Sequence, residues 1–199
     1  MTKKAYVLGN YTHLSLSPII FNYWFKKYNV DGEYSFIEIK EKNFEKEIKQ
    51  ILKKTDLCGL NITMPFKEKI IPFLSETDAH SKLIGAVNCV TKKTNKIKGS
   101  NTDWAGFRNS VLCLESDNKT AKLKKDKAVI VGYGGSAKAT IYALDKMGFS
   151  EVVLWNRSFD KIKNLKKIYK IKTVPRELKK NNFNIDKDTD IAINTIPTE

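Results

Sequence analysis

One lysine, Lys67, combines a residue type and a position that could do acid–base chemistry. It lies in GLNITMPFKEKII (59–71), a pattern typical of a strand that runs into a helix with Pro65 at its first position. A lysine in that first turn would lie beside the positive end of the helix dipole, which disfavours the charged ammonium. Such a lysine could pass a proton to or from a hydroxyl or carbonyl oxygen. An exposed lysine with no chemical role is the alternative that these residues leave open.

Asp103, the last residue of GSNTD (99–103), is the candidate partner of this lysine. A carboxylate close to Lys67 would favour the charged ammonium and oppose the effect of the helix dipole. The separation of the two residues along the chain leaves open whether their side chains meet.

A glycine-rich turn in the second half of the chain predicts a dinucleotide site. The sequence GYGG (132–135) follows the apolar strand AVIV and precedes a helix that begins near Ser136. Gly132 would permit the tight turn, and the later glycines would let the backbone approach a pyrophosphate at the helix N-terminus. An ordinary strand-to-helix turn is the alternative. The predicted cofactor contacts in this turn are Gly132, Gly134, Gly135, Ser136 and Ala137.

The residues after the next predicted strand favour NADP as the cofactor. An NAD site would place an acidic residue there for the ribose 2′-hydroxyl, whereas this chain has Asn156, Arg157 and Ser158. A guanidinium and a hydroxyl would bind a 2′-phosphate through charge-assisted hydrogen bonds. Lys161 is a candidate second phosphate contact. Arg157 as an ordinary surface charge is the alternative.

The periodicity of apolar residues places these candidates on alternating strands and helices, which is typical of an α/β fold with a parallel sheet. The predicted strands are 4–9, 33–39, 57–63, two strands within 85–103, 128–131, one ending at 155, and 190–195. The predicted helices are 17–28 with Ser17 as N-cap, 43–54, 65–74, 75–85 opening with Ser75, 103–114, one beginning near 136, and 159–170.

A polar stretch divides the chain into two predicted domains. The segment ESDNKTAKLKKDK (115–127) is almost free of large apolar groups and has the composition of a linker. We therefore expect one α/β domain over 1–115 and a Rossmann-type nucleotide-binding domain over 116–199.

The basic composition argues weakly for nucleic acid as a partner. The net charge is +14, but the excess of basic residues is spread over both predicted domains. Only Arg108, Arg157 and Arg176 are arginines, and a lysine-dominated surface is a poor match to base or phosphate recognition. We expect no nucleic-acid partner.

The chain shows no sign of membrane insertion or of a metal site. No apolar run approaches the roughly 20 residues that span a bilayer. The start, MTKKAYVLGN, is unlike a signal peptide, so we expect a cytoplasmic protein. Three cysteines without paired spacing and two distant histidines predict no disulfide and no bound metal.

Seven motifs, taken together, resemble the shikimate dehydrogenase family over essentially the whole chain. The first four motifs belong to the substrate domain of that family, which makes the resemblance specific. In chain order, the motifs are GN-x4-SLSP (9–18), NITMPFK (61–67), GAVN (85–88), GSNTD (99–103), GYGGSAKA (132–139), NRS (156–158) and INTIP (193–197).

The resemblance implies a substrate-binding domain over 1–115, an NADP-binding Rossmann domain over 116–199 and a site in the cleft between them. It implies the reversible, NADPH-dependent reduction of 3-dehydroshikimate to shikimate in aromatic amino acid biosynthesis. Lys67 would be the acid/base, would also contact the substrate, and would be paired with Asp103. The other implied contacts are Ser15 and Ser17 to the substrate carboxylate, and Thr63, Asn88 and Asp103 to the ring hydroxyls. Both a monomer and a homodimer are compatible with the resemblance.

Several departures from the family pattern keep alternatives open. Leu14 stands where the family usually has histidine before the first serine, with His13 one place earlier, and Trp104 stands where glycine often follows NTD. Ser158 replaces a common threonine. The family continues beyond Glu199, so we expect a longer natural product whose Rossmann domain is incomplete here. The alternatives are a quinate- or NAD-preferring dehydrogenase, and a non-catalytic homologue that senses NADP or another ligand.

Overall fold

The computed structural model describes residues 2–94, 96–117, 123–180 and 182–196. The chain forms two compact units, Met1–Asn101 and Thr102–Glu199. Residues 118–122, in the middle of the predicted linker, lie outside the described residues, and a domain boundary after residue 115 stays a prediction. Within the described ranges, no helix is both long enough and apolar enough to cross a bilayer.

The first unit contains a six-stranded mixed sheet. Its strands are β1 Lys3–Gly9, β2 Gly32–Glu38, β3 Leu57–Ile62, β4 Glu76–Thr77, β5 Cys89–Lys93 and β6 Lys96–Ser100. Their order is β2-β1-β3-β5-β6-β4. β1 pairs in parallel with both β2 and β3, whereas β5 runs antiparallel to β3 and β6. The parallel sheet predicted from the strand–helix alternation is therefore confirmed.

Three helices belong to this unit: α1 Ser17–Lys27, α2 Phe44–Lys53 and α3 Ala79–Ile84. α2 buries Phe44, Ile48, Ile51 and Leu52, the apolar stripe that its spacing predicts. The predicted cap at Ser17 is wrong, since α1 begins at Ser17 with Leu16 before it. The helix predicted from Ser75 begins later because the Asp78 carboxylate accepts from the Ser81 N–H at 2.6 Å and caps it.

The core of the first unit lies between α2 and one face of the sheet. Phe66 belongs to it, fully buried and stacked on Phe44 with the ring centroids 4.2 Å apart. The other buried members are Leu8, Ile39, Ile48, Ile51, Leu52, Leu57, Leu60, Ile62, Ile70, Val87 and Val90.

The helix predicted over 65–74 is wrong, because this segment forms a series of turns that ends in a 3-10 turn at Ile71–Phe73. The Lys67 carbonyl, which a helix would pair with the Ile71 N–H, instead accepts from the Val87 N–H at 2.7 Å. Pro72 has no N–H to offer the Glu68 carbonyl. The helix dipole expected beside Lys67 is therefore absent from its local structure.

Over its described residues, the second unit contains a five-stranded sheet and two helices. Its strands are β7 Lys127–Val131, β8 Glu151–Asn156, β9 Lys167–Ile168, β10 Ile171–Glu177 and β11 Ile191–Asn194, and its helices are α4 Asp103–Asp117 and α5 Gly135–Met147. The strand order is β11-β7-β8-β10-β9, and among these strands β9 and β10 form the one antiparallel pair. The predicted strand, glycine turn, helix and strand are confirmed as β7, α5 and β8. The core joins α5 to β7 and β8 through Ala128, Ile130, Ala137, Ile141, Leu144, Val152 and Leu154.

The helix predicted over 159–170 is also wrong. The segment contains a short 3-10 turn at Phe159–Lys161 and then the β9–β10 hairpin, which the sequence analysis missed. Tyr169 has a φ of 56° in the hairpin turn. In β10 the side chains of Ile171 and Thr173 are buried while Lys172 is exposed, which is strand periodicity. Parallel pairing with β8 outweighs the helical spacing of the preceding residues.

We expect the phenol of Tyr169 to make the stability of the second unit sensitive to alkaline pH. Burial raises the pKa of Tyr169 from 10.0 to about 12, and its ring packs edge-on against Tyr142 at 5.2 Å. Because the unfolded chain loses this proton first, stability should fall as the pH rises through about 10 to 12. Tyr169→Phe should lose less stability over this window in urea unfolding at a series of pH values. An equal loss in Tyr169→Phe and in the exposed control Tyr11→Phe would contradict this origin.

The buried ring of Phe66 should be a main source of stability in the first unit. Phe66→Ala should lower the free energy of unfolding by about 3–5 kcal/mol, because it leaves a cavity against Phe44. The matched control is Phe36→Ala on β2, whose ring is exposed and whose loss should cost within about 0.5 kcal/mol. Urea unfolding followed by circular dichroism measures both; equal costs would show that the stacked pair contributes little.

Candidate active site

The segment SLSP (15–18) ends the loop that follows β1 and begins α1. This segment, the serine loop, holds two hydroxyls side by side. The Ser15 hydroxyl donates to the Ser17 hydroxyl at 3.1 Å and accepts from the Ser17 N–H at 3.2 Å. Both serines are half-buried. Hydroxyl protons rotate, so two neighbouring serines can turn both donors toward one carboxylate.

The turn that precedes this loop is fixed to the end of β2. Thr12 is 1% exposed, and its hydroxyl donates to the Ile37 carbonyl at 3.0 Å. His13 donates its N–H to the Glu38 carboxylate at 3.1 Å and contacts it through Nδ1 at 2.5 Å. These hydrogen bonds from His13 lower the pKa of the Glu38 carboxyl. Leu14, in the place of the usual histidine of the family pattern, is 75% exposed.

Gly9, at the end of β1, brings Thr63 close to this turn. A Cβ atom at Gly9 would overlap Cγ2 of Thr63 and would lie 2.9 Å from Cγ2 of Thr12. The Thr63 N–H donates to the Leu8 carbonyl at 2.9 Å, and the Asn10 N–H donates to the Met64 carbonyl at 3.2 Å. Only glycine leaves space for this approach.

Lys67 and Asn88 are held together by backbone hydrogen bonds. Besides the bond from the Val87 N–H to the Lys67 carbonyl, the Ile62 N–H donates to the Asn88 carbonyl at 2.8 Å, and the Asn88 N–H donates to the Ser100 carbonyl at 3.1 Å. The Lys67 side chain is half-buried. In the first unit, five predicted site residues therefore lie at the carboxyl ends of β1 and β3: Ser15, Ser17, Thr63, Lys67 and Asn88.

Tyr34, within β2, and Asn61, near the carboxyl end of β3, are two polar residues that the sequence analysis did not single out. The Tyr34 hydroxyl donates to Oδ1 of Asn61 at 2.7 Å, and the whole tyrosine is 3% exposed. The signal for Asn61 was available, since Leu60 and Ile62 on either side are buried apolar residues and strand side chains alternate. No comparable signal existed for Tyr34, which has the pattern of a core aromatic residue.

Asp103 and Trp104 belong to the second unit. Asp103 is the first residue of α4 and is half-buried, at a helix end where negative charge is stabilised. The Trp104 ring packs edge-on against Tyr142 of α5, with centroids 5.3 Å apart, so it contributes to the packing of the two helices. A pairing of Asp103 with Lys67 stays a prediction.

Gly132 shapes the turn between β7 and α5. Its φ is 103°, and a Cβ there would lie 2.5 Å from Oγ1 of Thr195. Thr195 follows β11 and donates its N–H to the Val131 carbonyl at 2.9 Å. The strand order reverses between β7 and β11, and ligands of open α/β sheets bind outside the strand ends at such a point.

The first turn of α5 lies at the point where the strand order reverses, and the residue before this helix has open space beside it. Gly134 precedes the helix, and a Cβ there would meet nothing within 4 Å. Gly135 and Ser136 are half-buried, while Ala137 is fully buried and belongs to the core. An extended chain at Gly134, followed by the backbone N–H groups of the first helical turn, is a suitable cradle for a pyrophosphate.

The residues after β8 add cationic groups to the same end of the sheet. Asn156 ends β8, and its amide donates to the Ser158 carbonyl at 2.9 Å, while Arg157, Ser158 and Lys161 are exposed. Arg157 lines an open cavity of about 710 Å³ together with Lys179, Lys180, Asn194 and several apolar residues. The helix N-terminus and this guanidinium fit a dinucleotide that carries an additional phosphate.

Comparison with known proteins agrees with both halves of this description. The profile described as shikimate dehydrogenase substrate binding domain matches residues 7–90, and the profile described as shikimate / quinate 5-dehydrogenase matches residues 115–198. The shikimate dehydrogenase (NADP(+)) of Caldicellulosiruptor saccharolyticus is 36% identical over 197 residues, which cover 97% of this chain and 67% of the relative. The chain spans 65%, 67% and 61% of the lengths of three curated relatives.

Solved structures give the same result. Shikimate dehydrogenase from Aquifex aeolicus matches with a TM-score of 0.76 and 30% identity, over 97% of this chain and 78% of that one. The enzyme from Thermus thermophilus, in complex with NADP(H) and shikimate, matches with a TM-score of 0.71 and 26% identity, over 87% and 63%. Sequence and fold therefore agree over nearly the whole chain, which belongs to the shikimate dehydrogenase family.

Proposed function

We propose that this protein catalyses the reversible reduction of 3-dehydroshikimate to shikimate with NADPH, in the shikimate pathway to aromatic amino acids. The observation that carries the proposal is the cluster of Ser15, Ser17, Thr63, Lys67 and Asn88 at one edge of the first sheet. These residues are distant in sequence, yet the backbone bonds described above hold them at neighbouring strand ends. The membership of the chain in a family whose relatives bind shikimate and NADP(H) supports the same reaction.

The polar groups at this edge suit a hydroxylated ring acid. The paired hydroxyls of Ser15 and Ser17 would donate to the substrate carboxylate. Thr63 and Asn88 offer a hydroxyl and an amide, each able both to donate and to accept, which matches ring hydroxyl groups. A ligand without a carboxylate would leave the serine pair unused.

Lys67 and Asp103 would supply the acid–base chemistry. When bound, NADPH supplies the hydride that reduces the substrate carbonyl carbon. The Lys67 ammonium would donate a proton to the carbonyl oxygen, directly or through a water molecule, and would accept it in the reverse direction. Asp103 would favour the charged ammonium and bind a ring hydroxyl.

The second unit would hold NADP. The glycine turn from Gly132 to Gly135 and the N-terminus of α5, with Ser136 and Ala137, would bind the pyrophosphate. Arg157 and Ser158, with Asn156 and Lys161 beside them, would bind the 2′-phosphate. No acidic side chain follows β8 in the position where an NAD site would place one.

Quinate is a second candidate substrate because the profile that matches the second unit describes shikimate and quinate dehydrogenases together. Both acids would use the same serine pair. The kcat/KM values of the purified gene product for shikimate and quinate, each with NADP+ and NAD+, would decide between them. Binding of shikimate and NADP+ without turnover would instead identify a non-catalytic homologue.

Replacement of Lys67 should remove the proton donor. We expect Lys67→Ala to lower kcat for NADP+ reduction by shikimate about 10²–10⁴-fold with a small change in KM. If Lys67 and Asp103 act as a unit, the double variant with Asp103→Ala should be no slower than the slower single variant. Nicotinamide absorbance measures the rate.

The matched control for this experiment is Lys69→Ala, two residues away and exposed. Its kcat should equal that of the wild type. A Lys67→Ala variant with near-normal kcat would remove this lysine from the mechanism, and strictly multiplicative effects at Lys67 and Asp103 would argue against their pairing.

Replacement of Arg157 should weaken NADP+ without affecting NAD+. Loss of a charge-assisted hydrogen bond of about 1.5–3 kcal/mol predicts that Arg157→Ala raises the KM for NADP+ about 10- to 150-fold. Arg176→Ala, at the other exposed arginine of the second unit, serves as the control and should change neither KM. Equal KM values for NADP+ in Arg157→Ala and the wild type would show that the phosphate binds elsewhere.

A further inference from the structure

The Tyr34 hydroxyl lies between two of the substrate-binding motifs and connects them. On one side it donates to Oδ1 of Asn61, in NITMPFK, at 2.7 Å. Burial raises the pKa of the phenol, and the Ser17 side chain on its other side, in SLSP, opposes that rise. Since Ser15 donates to Ser17, the polar groups of Ser15, Ser17, Tyr34 and Asn61 follow one another from the first motif to the second.

The position of this hydroxyl is fixed by the rest of the tyrosine. The backbone of Tyr34 is bonded on both sides to the Asn22 amide, which donates to the Tyr34 carbonyl at 2.8 Å and accepts from the Tyr34 N–H at 2.9 Å. The ring stacks on Phe21, with centroids 4.4 Å apart and planes 7° from parallel. Phe21 and Asn22 lie on α1, the helix that SLSP begins, so the loop and the tyrosine are located by the same element.

We propose that Tyr34 is a positioning residue for substrate binding, one that orients the Asn61 amide and holds the Ser17 hydroxyl ready for the substrate carboxylate. This inference rests on the proposed function. A phenol has one proton, and Tyr34 gives it to Oδ1 of Asn61, which turns the Nδ2 donors of the amide away from the tyrosine. Tyr34 can therefore only accept from Ser17.

That arrangement suits an anionic ligand. Without a ligand, the Ser17 proton has an acceptor on Tyr34, so no partly buried donor is left unsatisfied. When a carboxylate arrives, the serine hydroxyl can rotate toward it while Tyr34 keeps its bond to Asn61. Burial raises the pKa of Tyr34 well above its ordinary value, which keeps the phenol protonated and a donor.

The test is Tyr34→Phe, which keeps the stacked ring and removes only the hydroxyl. We expect the KM for shikimate to rise about tenfold, as expected for a lost hydrogen bond to a half-buried amide, while kcat changes less and the KM for NADP+ is unchanged. Tyr6→Phe on the neighbouring strand β1 is the matched control, and its kinetic constants should equal those of the wild type. Asn61→Ala should raise the same KM, and adding Tyr34→Phe to it should raise that KM by a smaller factor than Tyr34→Phe does alone, because the part that passes through Asn61 is already lost.

The outcomes separate this inference from the proposed function. An active wild type whose Tyr34→Phe variant has an unchanged KM for shikimate overturns the positioning role alone, as does a variant that loses stability in urea but keeps that KM. If Tyr34→Phe fails to fold, an unchanged KM in Asn61→Ala overturns the inference. A folded wild type that neither turns over nor binds shikimate in a calorimetric titration overturns both proposals.

Discussion

The architecture of the first unit depends on the close contact that Gly9 permits at the carboxyl end of β1. Because β1 lies between two parallel partners, the loops that leave β1, β2 and β3 emerge at one edge of the sheet. The missing side chain at Gly9 lets Thr63 and Thr12 both approach β1 there. Any larger residue would separate the serine loop from the turn that carries Lys67. The polar groups of the candidate site are therefore positioned by backbone packing before any ligand contributes.

The second unit uses the same physical arrangement with a different loop. β7 is again flanked by two parallel strands and is followed by a glycine, Gly132, which packs against the residue that follows a neighbouring strand. The chain then enters α5 directly, so backbone N–H groups replace the side-chain hydroxyls of the first unit as the donors. A ring acid with several hydroxyls needs varied side chains, whereas a pyrophosphate needs a uniform set of N–H donors. Each loop type matches the proposed ligand of its unit.

Local patterns in the sequence were sufficient to predict α2, α5 and the parallel strands, because the spacing of apolar residues and the positions of glycines indicate such elements directly. The two wrong helices, 65–74 and 159–170, share one cause. In the first, the Val87 N–H donates to the Lys67 carbonyl. In the second, residues 167–168 form β9, which pairs with β10, and β10 is held by its parallel pairing with β8. Partners so distant in sequence cannot be recognised from the few residues of the segment itself. The bond between Tyr34 and Asn61 was unpredictable for the same reason, although the polar position of Asn61 in a buried strand was visible.

The place of Leu14 shows which contacts the serine loop requires. A loop that depended on a histidine side chain at this position would be disturbed by leucine, yet Leu14 exposes its side chain to solvent. The loop is held instead by hydrogen bonds from Thr12 and His13 to Ile37 and Glu38 at the end of β2. On its other side, Ser17 of the loop lies beside Tyr34, whose hydroxyl donates to Asn61 on β3. β2 therefore contacts the loop on both sides, through Ile37 and Glu38 at its end and through Tyr34. The identity of residue 14 can vary because neither contact passes through it.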